Sequence, residues 1–380
     1  MSNSQQSGQK LKKVLMIFSN SYRGQHARDL SKGFSQVGIT LGFISLSGAE
    51  VPSWIRQHNS KDLSKGFKTN RRIIVDLIRV VLVARRFKPQ IIQTHLFYGG
   101  IIGLLVGKIL RIPVIHTRHH IDEHFQSGRQ IHRIIDRLVA RNSTHVIVCS
   151  LAAKNWLVQI ERIPPERITV INQGFDFKKL VPSGDLIVKA RLELEFTNDK
   201  INIICVSRYS KVKGQEYLLR ALKELIKSVP KVQLVFMGPG DSKWLSNLVQ
   251  EFGLSEFVQI LPERDDVIAC IAASDFIIHP SLADSFSQLI IEAQAAGGLL
   301  IATDIAAARE QIINGKTGII VPPRSPEAIV KAILFLLENP EISKSIRQNS
   351  YQHVSQSFTM ERMVNEEIEC LIKYVSDSRR

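Results

Sequence analysis

The sequence predicts an α/β protein made of two parallel-sheet units in tandem, with the open ends of the two sheets facing a central cleft. Three observations predict it. The chain has 380 residues, more than one ordinary domain needs and suited to two of average size. From residue 14 onward, short apolar runs of strand length alternate with helical patterns, the spacing of a parallel sheet covered by helices on both faces. The alternation stops over 175–184, where Lys178, Lys179, Pro182 and Gly184 read as a linker, and it restarts at Ile201.

In the first half, 14–18 reads as a strand and 26–36 as a helix ending near Gly38, followed by a strand over 39–46. The helix over 70–87 rests on apolar residues at Ile73, Ile74, Leu77, Ile78 and Val81, and Pro89 stops it. A strand over 90–94, a helix over 99–110, a strand over 113–117, a helix over 130–140 and a strand over 144–149 follow, and 169–172 closes the set. In the second half the strands are 201–206, 232–237, 258–261, 276–279, 299–302 and 318–321. Helices over 215–228, 242–252, 266–273 and 286–296 separate them, and 359–374 is one amphipathic helix. The domains are therefore 1–178 and 179–356, with 357–380 as a terminal helical segment. Sheets of this kind bind ligands at the carboxyl ends of their strands.

Hydrophobic residues make up 44% and charged residues 22%, a soluble globular balance. Residues 1–13 are polar, and the apolar run 14–18 is too short for a signal sequence or a membrane span, which places the protein in the cytoplasm. Cys149, Cys205, Cys270 and Cys370 form no Cys-x-x-Cys pair and read as small apolar residues in a reducing compartment.

The net charge of +15 is uneven: residues 1–180 hold 28 Lys and Arg against 10 Asp and Glu, net +18, and the rest hold 22 against 25, net −3. An anionic partner is drawn to the first half. Lys61, Lys65, Lys68, Arg71, Arg72, Arg79, Arg85, Arg86 and Lys88 overlap the amphipathic helix over 70–87. They are either the outer face of a packed helix or a contact for an anionic membrane surface or a phosphorylated, lipid-linked acceptor. The charge asymmetry favours the latter, with peripheral attachment to the inner face of the membrane. Nucleic acid is disfavoured, because the basic segments lack interleaved aromatics, which total 7%.

Four segments carry candidate chemistry. Asp284 precedes a predicted helix start near Ser285, and Glu292 lies among Leu289, Ile291 and Ala293. A carboxylate in such company is costly unless bonded, and sugar or ribose hydroxyls are natural donors. A capping acid and a solvent-facing glutamate fit the same spacing. Arg208 leaves the end of a strand and Lys213 lies at the mouth of the next helix. They read as a diphosphate clamp or as a solvated basic loop. Gly238 and Gly240 follow a strand and open a helix, giving either a close approach for a phosphate or base or merely a tight turn. His116, Arg118, His119 and His120 end a strand; they read as a ligand contact or as a polar strand end. With Asp122, Glu123 and His124 they match no established metal-ligand spacing.

The run 279–297, from His279 through Pro280, Ser281, Asp284, Ser285, Phe286, Ser287 and Glu292 to Gly297, resembles the donor-site motif of a known family. These are the retaining glycosyltransferases of the glycogen synthase and sucrose synthase superfamily, family four or group 1. Their motif is a Pro-Ser pair, a glutamate, Gly-Phe-Gly, and a second glutamate. The similarity continues through Ala302, Thr303 and Asp304, Glu310, Asn314 to Gly318, and Val321. Here the first acid is Asp284, one methylene shorter, and both loop glycines are serines. The resemblance implies a GT-B architecture of two Rossmann-like domains, a nucleotide-diphosphate sugar as substrate, no cofactor and no bound metal. It also implies a terminal helix that crosses back to the first domain.

By the same resemblance Asp284 reads the donor sugar and Glu292 the ribose, and Arg208 with Lys213 matches the pyrophosphate pair. Gly238, Gly240, Ser285, Phe286 and Ser287 wall the donor. In the first half, His119 contacts donor or acceptor, and Gly24 stands in the place of the family's Gly-Gly loop. The implied activity is transfer of a hexose-type sugar, with retention, to a glycan or lipid-linked, lipopolysaccharide-type acceptor, as in cell-envelope polysaccharide biosynthesis. Rival readings are a nucleotide-sugar epimerase of the same shape and a catalytically degenerate sugar-nucleotide-binding subunit. A dinucleotide-dependent dehydrogenase is disfavoured, because 19–25 lacks Gly-x-Gly-x-x-Gly.

Overall fold

The computed structural model describes residues 11–19, 25–47, 54–55, 58–65, 67, 73–118 and 130–375. The chain divides into two compact units, residues 1–174 with 360–380, and residues 175–359.

Unit 1 is a seven-stranded parallel sheet in the order β3-β2-β1-β4-β5-β6-β7. Its strands are β1 Lys13–Phe18, β2 Thr40–Ser45, β3 Ser60–Asp62, β4 Ile91–His95, β5 Val114–Arg118, β6 His145–Val148 and β7 Ile168–Val170. In register, Val14 of β1 pairs with Leu41 on one side and Ile91 on the other. The two-residue period of a strand sends alternate side chains to opposite faces. Leu15 and Ile17 pack under α2 Ile73–Phe87 and α3 Leu96–Leu110. Val14, Met16 and Phe18 pack against α1 Gln25–Gln36 and against Met363, Val364 and Leu371 of the last helix. Both faces are thus buried, as a parallel sheet requires. On the first face α3 lies between α2 and α4 Gln130–Asn142.

The helix α5 Leu151–Gln159 was not foreseen, although its signal is in the sequence: Ser150 caps it, accepting from the Ala153 N–H. Unit 2 opens with α6 Gly184–Glu193, where the sequence had suggested only the end of a linker.

Unit 2 is a six-stranded parallel sheet in the order β10-β9-β8-β11-β12-β13. The strands are β8 Ile201–Val206, β9 Val232–Met237, β10 Val258–Leu261, β11 Phe276–His279, β12 Leu300–Thr303 and β13 Ile319–Val321. Helices α7 Gln215–Ser228, α8 Lys243–Glu251, α9 Val267–Ala273, α10 Gln288–Ala295 and α11 Ala306–Gln311 connect them. Beyond the sheet run α12 Pro326–Glu338 and α13 Pro340–Ser357, both unread in the sequence, and then α14 Met360–Lys373, which belongs to unit 1. Ser325 caps α12 with Pro326 in its first turn. Strand order reverses between β8 and β11, so the loops leaving those two strands flank a topological switch point. No described helix is long and apolar enough to cross a membrane.

Candidate active site

The loops leaving β8 and β11 are strapped together by main-chain contacts. The Leu282 N–H donates to the Val212 carbonyl at 2.8 Å, and the Ser281 hydroxyl donates to Ala283 O at 3.0 Å and Val212 O at 3.4 Å. Gly214, in the left-handed region at φ 70°, turns the chain into α7; a Cβ there would meet the Pro280 carbonyl oxygen at 1.9 Å. Only glycine permits that approach. The strap brings Lys213 Nζ to 2.7 Å from Asp284 Oδ2. A charge-assisted bond of that length between part-buried groups is a strong one.

Asp284 therefore does not cap a helix. The helix starts at Gln288, beyond the expected Ser285, and Asp284 is occupied by Lys213. Behind the pair stands His279 at the end of β11. Its ring is 2% exposed, both ring nitrogens lack hydrogen bonds, and Nε2 lies 3.8 Å from Asp284 Oδ2. Burial first, and the nearby Lys213 cation second, push its pKa down to about 4, so the imidazole is neutral at pH 7. Nothing in the sequence beyond its place in the motif marked His279.

Arg208 is exposed, and its guanidinium has no carboxylate partner among the described residues. Its main chain is fixed by Gln215, a buried first-turn residue of α7 whose Nε2 donates to Arg208 O and Ser207 Oγ, both at 2.9 Å. Glu292 lies in the second turn of α10, partly buried, and its carboxylate has neither a hydrogen bond nor an ion pair among the described residues. Burial raises its pKa.

The serines differ. Ser285 is part-exposed and its hydroxyl is unengaged among the described residues. Ser287 is buried; its N–H donates to Gln311 Oε1 at 3.0 Å and its carbonyl accepts from Gln311 Nε2 at 2.9 Å. Gln311 thus takes up the Ser287 amide and carbonyl, so neither is open to a ligand in this structure. The Phe286 ring stacks on Phe175 and meets Phe358 edge-on, at 6.5 and 6.1 Å between centroids, and serves packing.

A cavity of about 430 Å³ opens beside this loop system. It is lined by Tyr209, Gly238, Pro239, Gly240, Ser242, Ile260, Leu261, Pro262 and Glu263. At Gly238 a Cβ would strike the Ser207 carbonyl oxygen at 2.1 Å, so this glycine is required by the neighbouring chain. The Tyr209 hydroxyl donates to Phe236 O at 3.1 Å and to Leu261 O, fixing the wall. Tyr209, Leu261, Pro262 and Glu263 went unnoticed in the sequence, because they come from two separate strand ends, those of β8 and β10.

In unit 1, His119 and Gly24 lie outside the described residues, as do His120, Asp122, Glu123 and His124. His116 is buried and bonded to Thr94 Oγ1 at 2.8 Å, with its pKa pushed down to about 3 by burial and then by Arg118. Arg118 is taken by Glu161 at 2.6 and 2.7 Å. Both act within the fold.

Sequence comparison matches residues 24–179 to Glycosyltransferase Family 4 and residues 189–353 to Glycosyl transferases group 1. The D-inositol 3-phosphate glycosyltransferase of Corynebacterium kroppenstedtii is 26% identical over 285 residues, 70% of this chain and 63% of its own length. That of Corynebacterium glutamicum is 25% identical over 336 residues, 83% of this chain and 77% of its own. The matched stretch thus spans under two thirds of the first relative. Anabaena HepE, solved with UDP and glucose, superposes with a TM-score of 0.82 at 22% identity, covering 95% of this chain and all of that one. Sucrose-phosphate synthase of Thermosynechococcus elongatus gives 0.77 at 19% identity, covering 95% and 98%. With two parallel-sheet α/β units of this fold and both halves matched, the chain belongs to the group 1 glycosyltransferases of the family four type, with a GT-B fold.

Proposed function

We propose that the protein transfers a hexose-type sugar from a nucleotide-diphosphate donor to a glycan or lipid-linked acceptor, retaining the anomeric configuration. The observation that carries this reading is the strapped pair of loops that holds Lys213 against Asp284 at the switch point, with Arg208 on the same loop. HepE has been solved with UDP and with UDP-glucose, which supports a donor of that class.

In this reading the bond between the anomeric carbon and the diphosphate oxygen breaks as the acceptor oxygen bonds to that carbon, and the acceptor proton leaves with the nucleotide diphosphate. Negative charge grows on the leaving group, and Arg208 and Lys213 stabilise it, each such donor being worth roughly 3–4 kcal/mol. The two cations supply what a metal supplies elsewhere, and the reading contains no cofactor. Lys213 is already oriented by Asp284, so a diphosphate meets a cation whose position is set in advance. Asp284 and Ser285 face the sugar, Glu292 accepts from ribose hydroxyls, and the Gly238–Gly240 cavity receives the base. From the first unit His119 and Gly24 contribute donor or acceptor contacts. The positive first half favours a lipid-linked acceptor at an anionic membrane surface, reached from the cytoplasmic side.

A panel of sugar nucleotides tested by thermal shift identifies the donor as the one that stabilises the protein. Release of nucleoside diphosphate should then require an acceptor and be lost in Lys213→Ala and Glu292→Ala. Binding with no release to any acceptor would favour a degenerate subunit, and donor turnover without acceptor would favour an epimerase.

A further inference from the structure

Helices α2, α3 and α4 lie side by side on one face of the unit 1 sheet. Their outer sides are unusually apolar. On α2, Ile74, Ile78 and Leu82 repeat every four residues on one line; on α4, Ile131, Ile134 and Leu138 do the same at helical spacing. Ile74 is 73% exposed and Ile131 67%. These three helices carry ten of the 23 exposed large apolar side chains among the described residues, so the exposure is concentrated and not the ordinary scatter of single residues.

Among the described residues of these helices, the exposed charges have one sign. The only carboxylates on the three helices are Asp76 and Asp136, and both are buried. Asp76 accepts from the Tyr98 hydroxyl at 3.0 Å, and Asp136 lies 3.6 Å from Arg118. The exposed charged residues on these helices are Arg79, Arg85, Arg86, Lys108, Arg133 and Arg141. Protein interfaces centre on aromatic anchors, and no aromatic side chain on these helices is exposed. Aliphatic stripes bordered by cations, with both described acids of these helices buried, match the boundary between anionic headgroups and acyl chains. No helix here can span, so contact would lie in the plane of the surface.

We propose that the α2–α3–α4 face is a monotopic docking surface for an anionic lipid bilayer. Its aliphatic side chains enter the acyl boundary, and Arg85, Arg86, Lys108 and Arg141 take headgroup phosphates. This deepens the reading of a membrane-borne acceptor, on which it rests, and it moves the contact. Apolar insertion by three helices holds the protein, where the sequence pointed to the basic run from Lys61 to Lys88. Each cation near such a surface adds roughly fivefold to the partition, a part that salt removes, whereas insertion survives salt.

The test is vesicle flotation of the full chain on phosphatidylcholine with and without about 30% phosphatidylglycerol, at low salt and at about 0.5 M salt. The protein should float with the anionic vesicles and stay largely bound at high salt. The variant Ile78→Glu, Leu82→Glu, Ile134→Glu should lose at least about tenfold in binding. Absence of flotation on anionic vesicles would overturn the proposal. So would binding that salt abolishes and the triple variant leaves unchanged. A dimer that the variant dissociates, with no vesicle binding by either protein, would assign the face to a second copy instead. Stabilisation by the sugar nucleotide, measured on the same variant, reports that its fold and donor site are intact. Failure of that stabilisation in the unmodified protein would count against the donor reading and leave the flotation result standing.

Discussion

The two units place their polar groups in different settings. Unit 2 keeps its charges near the surface: Lys213 and Asp284 are paired but part-exposed, Arg208 is exposed, and the Glu292 carboxylate has no partner among the described residues. Unit 1 buries several polar groups within and beneath its sheet: Arg118 is held by Glu161, and burial keeps two histidines neutral. His116 is bonded to Thr94, and His145 is bonded to Thr169 and Tyr374 at 2.8 and 2.7 Å, with its pKa pushed down to about 4. Glu367 of α14 is buried against Gln93 of β4, and burial raises its pKa to about 7, with the Gln93 hydrogen bond opposing. Buried charge costs more than a domain can spare unless it is neutralised, whereas a site for a charged ligand must keep charge at its rim. At these positions the described part of unit 1 is scaffold, and the proposed donor chemistry draws on unit 2.

Four experiments bear on that contrast. The largest effect is expected from Lys213→Ala, which should lower turnover roughly a hundred- to a thousandfold, about 3–4 kcal/mol, while strand-end substitutions in unit 1 do not. Steady-state release of nucleoside diphosphate reads it; a loss under threefold would remove unit 2's loop from the chemistry.

Second comes Glu367. A carboxyl whose pKa is raised from 4.5 to about 7 on folding binds its proton more tightly in the native state. The stability it contributes is therefore full below about pH 4.5 and falls as pH rises to about 7, a loss of about 3 kcal/mol. Glu367→Gln should remove that decline, so that denaturant midpoints at pH 5 and pH 8 converge. An unchanged pH slope would show that the carboxyl is ionised in the fold.

A smaller effect, about tenfold or 1.4 kcal/mol, is expected when Glu292→Gln weakens acceptance from a donor hydroxyl. It should appear in donor affinity by calorimetry, with thermal stability unaltered or slightly raised, since Glu292 is part-buried and unpaired in the free protein. Smallest are the caps. Ser150→Ala in unit 1 and Ser325→Ala in unit 2 should each cost about 1 kcal/mol in denaturant unfolding, with no change in turnover. A turnover change from Ser325→Ala alone would mean that α12 reaches the site.

The sequence by itself determined the period-two apolar runs, the helices between them and the restart near residue 201, because each is written in consecutive residues. It also determined which loops carry cations and acids. It could not decide which of those groups meet. Lys213 and Asp284 are 71 residues apart and touch only because β8 and β11 are neighbours at the point where strand order reverses. Ser287 looked available for a ligand and is sealed by Gln311, another residue distant in the chain. The basic run from Lys61 to Lys88 looked like a single charged helix face, yet only the packing of α2, α3 and α4 shows an aliphatic surface shared by all three. Periodicity is a local property of the backbone, whereas pairing, satisfaction of polar groups and surface continuity depend on which elements the sheet places side by side.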